Sequence, residues 1–287
     1  MSGEAAAPST QTASSAPPKL TVRATPPKGR PGTLIALSIR SDRRLRALEL
    51  SGAGTAARLE PDGSGRVYRG LLGIDLDRKP GAMAFSLTGT EEDGRSFSIP
   101  WSLRVESGRF PVERLKVDPA MVEPPADALP RIEADRKRTA EVWSHPDERR
   151  RWTAAFGAPV DAAPQANFGV RRVYNGREKS RHGGVDFRAS SGTAVEAPAP
   201  GRVALAGDLY FSGGTVILDH GAGLFTSYFH LSRIDVAEGE LVEAGKILGA
   251  VGATGRVTGP HLHWSARFGA ARINPLDLTR LPEWPSE

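Results

Sequence analysis

Apolar and polar residues alternate with a period of two along most of this chain, and the helical period of 3.6 surfaces in one short segment only. "TLIALSIR" (33–40) reads as a strand, and "ARLEPDGSGRVYRG" (57–70) as a hairpin turning at Asp62-Gly63-Ser64-Gly65. "AMAFSLTGTEEDGRSFSIPWSLRV" (82–105) repeats that logic around Asp93-Gly94. Strands this close, with no helix between them, predict a small Ig-like β-sandwich over 19–107. "FPVERLKVDPAMVEPPADALP" follows as a Pro-rich connector expected to pack in extended form against one of the domains. In "RIEADRKRTAEVW", Ile132, Val142 and Trp143 gather near one helical face with the Thr139 methyl between them, so one amphipathic helix is expected, ended by His145 and Pro146. From about Trp152 the chain returns to β-branched segments between Gly turns: "GTAVEAP", "GRVALAGD", "GTVILDH", "LFTSYFHL", "KILGAVG" and "HLHWSARF".

The expected organisation is therefore all-β: a tether over 1–18, the sandwich over 19–107, connector and helix over 108–150, and a second all-β domain over 151–287. The tether is expected to be disordered, because Ala, Ser, Thr and Pro supply too little apolar surface to order it. At 287 residues two domains are an ordinary complement. No apolar run approaches the ~18 residues of a membrane span. The chain has no cysteine, which removes disulfides, thiolate metal sites and cysteine nucleophiles together. Its opening lacks the basic and apolar regions of a signal peptide, so the expectation is either a protein that stays inside or a chain beginning after a removed export signal.

Net charge is +5, and it is unevenly spread. Residues 1–50 hold 8 basic and 3 acidic groups, whereas 151–287 hold 14 and 13. With aromatics at 7% and no basic stripe interleaved with them, nucleic-acid binding is not expected. One basic cluster stands out: Arg171, Arg172, Arg177, Lys179, Arg181 and Arg188 against Glu178 and Asp186. It reads either as a solvated loop or as a cradle for an acidic substrate.

That cluster surrounds "RHGGVDF", which sets His182 and Asp186 four residues apart around Gly183 and Gly184. Two glycines make a helix expensive there, and in a straight strand the two side chains lie roughly 13 Å apart. If both serve one ion, the backbone bends at the glycines. "GPHLHW" adds His261 and His263, which alternate onto one strand face, and "YFHL" adds His230. His182, Asp186 and His263 would supply a zinc ion with two neutral imidazoles and one carboxylate, leaving a fourth position for water. His230 and His261 would remain free for proton transfer. Each piece alone also reads as an ordinary packed or surface residue; the joint occurrence carries the argument. His220 is assigned to a turn and His145 to the helix end.

From about Ala166 to Leu278 the chain resembles the LytM/lysostaphin-type zinc metallopeptidases of bacterial cell walls, on "NFGVRRVYNG", "HGGVDF", "GTAVEAPAPGRV", "TSYFHLSRIDVAEGELVEAGKILGAVGATGRVTGPHLHW" and "INPLDL". The resemblance implies an antiparallel sheet for the second domain, and zinc on His182, Asp186 and His263, with His230 and His261 contacting the water and the developing oxyanion. It implies a peptidoglycan peptide as substrate, cut by a D,D-endopeptidase, and a place in the periplasm or cell envelope. Tyr174, Arg171 and Arg181 are further substrate-binding candidates, and a monomer is expected. Some relatives lacking ligands only regulate other hydrolases, which is the alternative reading; the full set of five side chains favours an enzyme.

Overall fold

The computed structural model describes residues 16–115, 124–174 and 177–284, with backbone alone at 115, 174 and 177–180. Eight strands open the chain: β1 (Leu20–Thr25), β2 (Leu34–Ser41), β3 (Leu45–Gly52), β4 (Thr55–Ala57), β5 (Leu59–Pro61), β6 (Val67–Gly73), β7 (Gly81–Glu91) and β8 (Ser96–Val105). They form two four-stranded sheets, ordered β1-β2-β6-β5 and β4-β3-β7-β8. The alternation decides which face each sheet buries. In β8, Phe97, Ile99, Trp101, Leu103 and Val105 point into the shared core with Leu37, Ile39, Leu50 and Leu87, while Ser96, Ser98, Ser102 and Arg104 point outward. Both expected turns form: the Asp62 carboxylate accepts from Ser64 N at 2.9 Å and Asp93 from Arg95 N at 3.1 Å. Gly63 and Gly94 take the positive φ those turns require, 84° and 91°.

After β8 the chain reaches β9 (Val112–Leu115) and then α1 (Leu129–Ser144). No residue of α1 is fully buried. Its grip is Val142 and Trp143, which pack on Leu205, Leu209, Ile217 and Phe225. His145 leaves the helical region at φ −125°, ψ 63°, and Pro146 follows.

The second sheet system holds β10 (Arg171–Tyr174), β11 (Arg177–Arg181), β12 (Gly184–Phe187), β13 (Ala194–Glu196), β14 (Gly201–Leu209), β15 (Gly213–Asp219), β16 (Leu224–Ile234), β17 (Leu241–Val242), β18 (Ile247–Val251), β19 (Leu262–Phe268) and β20 (Ala271–Ile273). Nine of them make one antiparallel sheet along β12-β19-β16-β15-β14-β17, with β13 joined through β18 to β16 and β20 on β19. β15 is buried along its whole length because α1 covers one face and the main core the other. The β10–β11 hairpin forms a separate three-stranded sheet with β9, which runs parallel to β10.

The sandwich and the large sheet share apolar contacts: Leu34, Ala36 and Leu71 of the first belong to the core that holds Val185, Trp264 and Ile273 of the second. Polar contacts fix the join. Arg272 reaches Asp75 at 2.9 Å and Asp77 at 2.6 Å, and Leu34 N donates to Asp277 Oδ2 at 2.9 Å.

Candidate metal centre

The register of β12 against β19 sets Asp186 directly opposite His263. His182 precedes β12, where the chain leaves β11 and crosses Gly183 before pairing resumes at Gly184. The break shortens the strand-like separation between His182 and Asp186, as the sequence spacing requires. His182 Nε2, Asp186 Oδ1 and His263 Nδ1 form a nearly equilateral triangle with edges of 3.1, 3.0 and 2.9 Å. Ligands around a tetrahedral zinc, bound at 2.0–2.1 Å, stand about 3.3 Å apart. The donor set therefore fits a zinc-sized ion after an adjustment of a few tenths of an ångström, and among the described residues it is the one such His/Asp group.

Asn167 orients two of the three. Its side-chain Nδ2 donates to Asp186 Oδ2 at 2.8 Å, its Oδ1 accepts from Asp186 N at 3.2 Å, and its backbone carbonyl accepts from His182 Nδ1 at 3.0 Å. Because a carbonyl can only accept, His182 carries its proton on Nδ1 and presents the Nε2 lone pair to the triangle. The His263 ring lies flat on Phe229, with centroids 5.4 Å apart and planes 8° from parallel. Burial opposes charge on Asp186, yet the His182 and His263 rings packed against it hold its carboxyl far below the usual carboxylate range. Burial lowers His263 as well, favouring the neutral imidazole a ligand must be.

His230 and His261 stand beside the triangle, rings 4.9 Å apart. His230 Nδ1 donates to the Thr254 carbonyl at 2.9 Å and His261 Nδ1 to the Gly259 carbonyl at 2.9 Å. Both rings thereby turn Nε2 away from the backbone carbonyl that anchors them, and His261 Nε2 lies 3.8 Å from Asp186 Oδ1. Burial pushes His230 down to about 4, so it is neutral near pH 7. Its backbone is strained, with φ at +67°, held by Ser212 O accepting from His230 N at 2.8 Å.

All five side chains singled out by the His/Asp pattern converge here. Of the basic cluster, two described side chains are engaged outside the triangle. Arg181 turns away to the sandwich, meeting Asp77 at 3.3 Å, the Leu76 carbonyl at 3.1 Å and the Phe110 ring face. Arg172 pairs with Glu113 at 3.3 Å. Arg171 sits in β10, its N–H donating to Pro111 O, and the side chain has interactions of its own. Exposed Arg188 has no ion pair among the described residues. The side chains of Tyr174, Arg177 and Lys179 lie outside the described residues. Sequence reasoning missed Asn167, Phe229 and Thr254; an Asn before Phe-Gly and a Thr in a Gly-rich turn carry no mark of what they hold in space.

Residues 180–275 match Peptidase family M23. The chain thus carries an M23 domain of the LytM type. Over 97 residues it is 42% identical to the DD-carboxypeptidase/endopeptidase Mpg of Neisseria meningitidis, a stretch covering 34% of this chain and 22% of that protein. Over 121 residues it is 38% identical to the peptidoglycan DD-endopeptidase ShyA of Vibrio cholerae, covering 41% of this chain and 28% of that one. The chain thus spans well under half the length of these curated relatives. A crystal structure of an M23-type protein from Pseudomonas aeruginosa superposes with a TM-score of 0.67 at 28% identity, covering 88% of this chain and 95% of the other. That likeness extends over the sandwich as well as the M23 domain.

Proposed function

We propose that this chain is a zinc-dependent endopeptidase that hydrolyses peptide cross-links of peptidoglycan, with D,D specificity, in the periplasm or cell envelope. The observation that carries the reading is the triangle of His182 Nε2, Asp186 Oδ1 and His263 Nδ1 flanked by two imidazoles whose tautomers are fixed by backbone carbonyls. The names of the relatives Mpg and ShyA support the bond type. In this reading residues 151–287 are the peptidase unit and 19–107 a sandwich that braces it. Bound to the three ligands, zinc would acidify water and polarise the scissile carbonyl.

The remaining work belongs to the chain's own groups. Neutral His230 presents its Nε2 lone pair and can accept a proton from the attacking water, with the His261 ring 4.9 Å away. With Nδ1–H committed to Thr254, His230 has no Nε2 proton to give until it has taken one. His230 therefore suits accepting the proton first and handing it on afterwards to the leaving amine, in place of a role as a protonated oxyanion donor at the outset, and the same Nδ1 anchoring leaves His261 open to that role. Asn167 keeps His182 and Asp186 aimed throughout.

Digestion of purified sacculi followed by mass spectrometry tests the reading. New amine and carboxyl termini at cross-links are expected, with one zinc per chain by elemental analysis. Asp186→Ala should lose the zinc; His230→Ala should keep it and lose roughly 10²- to 10⁴-fold in turnover. Reducing sugar ends without new amines would sink the peptidase reading, since glycoside cleavage usually needs two free carboxylates. Absence of fragments together with activation of a separate hydrolase would replace it with the regulator.

A further inference from the structure

We propose that Arg256, laid over Phe211 at the rim of the site, is the group that recognises a carboxylate of the substrate peptide. The inference rests on the peptidase reading and names a specificity determinant for it. Arg256 lies on the loop between the two residues that fix the free imidazoles: two residues after Thr254, which holds His230, and three before Gly259, which holds His261. Its guanidinium carbon stands 4.4 Å from the Phe211 ring centroid, and Phe211 precedes Ser212, whose carbonyl binds His230 N. The side chain is exposed and makes no ion pair or hydrogen bond among the described residues.

The platform beneath it is rigid. Arg256 N donates to Phe211 O at 2.9 Å, and Gly214 N donates to Thr254 Oγ1, which in turn donates to Leu231 O. Gly213 and Gly255 face each other so closely that a Cβ on Gly213 would stand 2.6 Å from Gly255 N, and one on Gly255 2.4 Å from Gly213 N. Both take positive φ, 61° and 72°. Two loops locked glycine to glycine thus present a cation whose flat face is spent on an aromatic ring and whose edge N–H groups remain unspent. That is the geometry of a preorganised bidentate carboxylate clamp. A carboxylate on an acidic stem peptide is the ligand that this chemistry fits.

The test compares a cross-linked stem-peptide dimer with free carboxylates and the same dimer with them blocked as amides. For the wild type, KM should be lower on the free form. Arg256→Met keeps an apolar chain over Phe211 and removes the donors. It should raise KM on the free form roughly 10- to 100-fold, with kcat, zinc content and KM on the amide unchanged. Arg256→Lys should recover part of the loss, since it keeps the charge without the fork. Binding of the free dimer to zinc-free protein should weaken by a similar factor in Arg256→Met, a readout that needs no turnover. Equal KM on both dimers in the wild type, or equal losses on both in the variant, overturns the clamp and leaves the peptidase standing. Wild-type protein that cleaves neither dimer overturns the peptidase reading and the clamp with it.

Discussion

His220 shows how a side chain with no part in the site can still govern the pH range of the fold. Its place before the Gly221–Gly223 turn was legible, but its full burial was not. Nδ1 donates to Pro200 O at 2.7 Å and Nε2 accepts from the Thr226 hydroxyl at 2.7 Å, which in turn accepts from Tyr228 OH at 2.8 Å. Every bond in that chain is satisfied by the neutral ring, and burial pushes the imidazole down from 6.5 to about 4. The folded state therefore takes up its proton later than the unfolded one. The contribution is fully present above pH 6.5 and is lost as pH falls through about 4, a difference of about 3 kcal/mol. His220→Gln should be less stable than the wild type at pH 7, and the gap in urea stability should narrow by up to that amount between pH 7 and 4. A gap that stays constant over that range would mean that His220 does not titrate with unfolding.

Strands carry the same division between what is legible and what is not. Residue patterning located β2, the β5–β6 and β7–β8 hairpins and the long strands of the large sheet, though not β1, β3 or β4, and the Gly pair in "HGGVD" marked a break. Its two glycines do different jobs. A Cβ at Gly183 meets nothing within 4 Å, whereas one at Gly184 would stand 2.4 Å from Trp264 O and 2.5 Å from His263 Nε2. Gly184 is the price of bringing β12 so near β19 that Asp186 and His263 meet as two corners of the donor triangle. Gly183→Ala should leave zinc affinity close to wild type, and Gly184→Ala should push β12 off β19 and weaken it roughly 10- to 100-fold, by analogy with disturbed outer-shell partners. Chelator competition measures both; equal effects of the two substitutions would contradict the assignment. What the alternation does not encode is pairing between distant segments. The parallel pairing of β9 with β10 brings residues 112–115 against 171–174, and no local period announces it. For the same reason the sequence left the Arg171–Arg188 cluster between a solvated loop and a cradle and did not show that Arg181 is taken up by a loop about a hundred residues away in the chain, at Leu76 and Asp77.

That loop, Asp75 to Asp77, makes the sandwich and the M23 domain one mechanical unit. Asp75 accepts from the Arg272 backbone and guanidinium together, at 3.0, 3.2 and 2.9 Å, and the pairing raises the arginine far above its usual range. Asp77 holds both Arg272 and Arg181, and Arg181 is the residue next to His182. Leu34, Ala36 and Leu71 bury their side chains in the core that backs the site, so opening the sandwich exposes apolar surface on both sides. Two consequences follow for the whole chain. Calorimetry of the zinc-free protein should show a single unfolding transition, and zinc at a hundred times its Kd should raise that one transition by the equivalent of about 2.7 kcal/mol, although every ligand lies in the M23 domain. Asp75→Ala removes the acceptor of three hydrogen bonds in a half-exposed setting and should lower the transition by about 1–2 kcal/mol. It should also begin to separate a sandwich component that no longer responds to zinc. Two transitions already present in the wild type, only one of them moved by zinc, would mean that the sandwich rides on the M23 domain without bracing it.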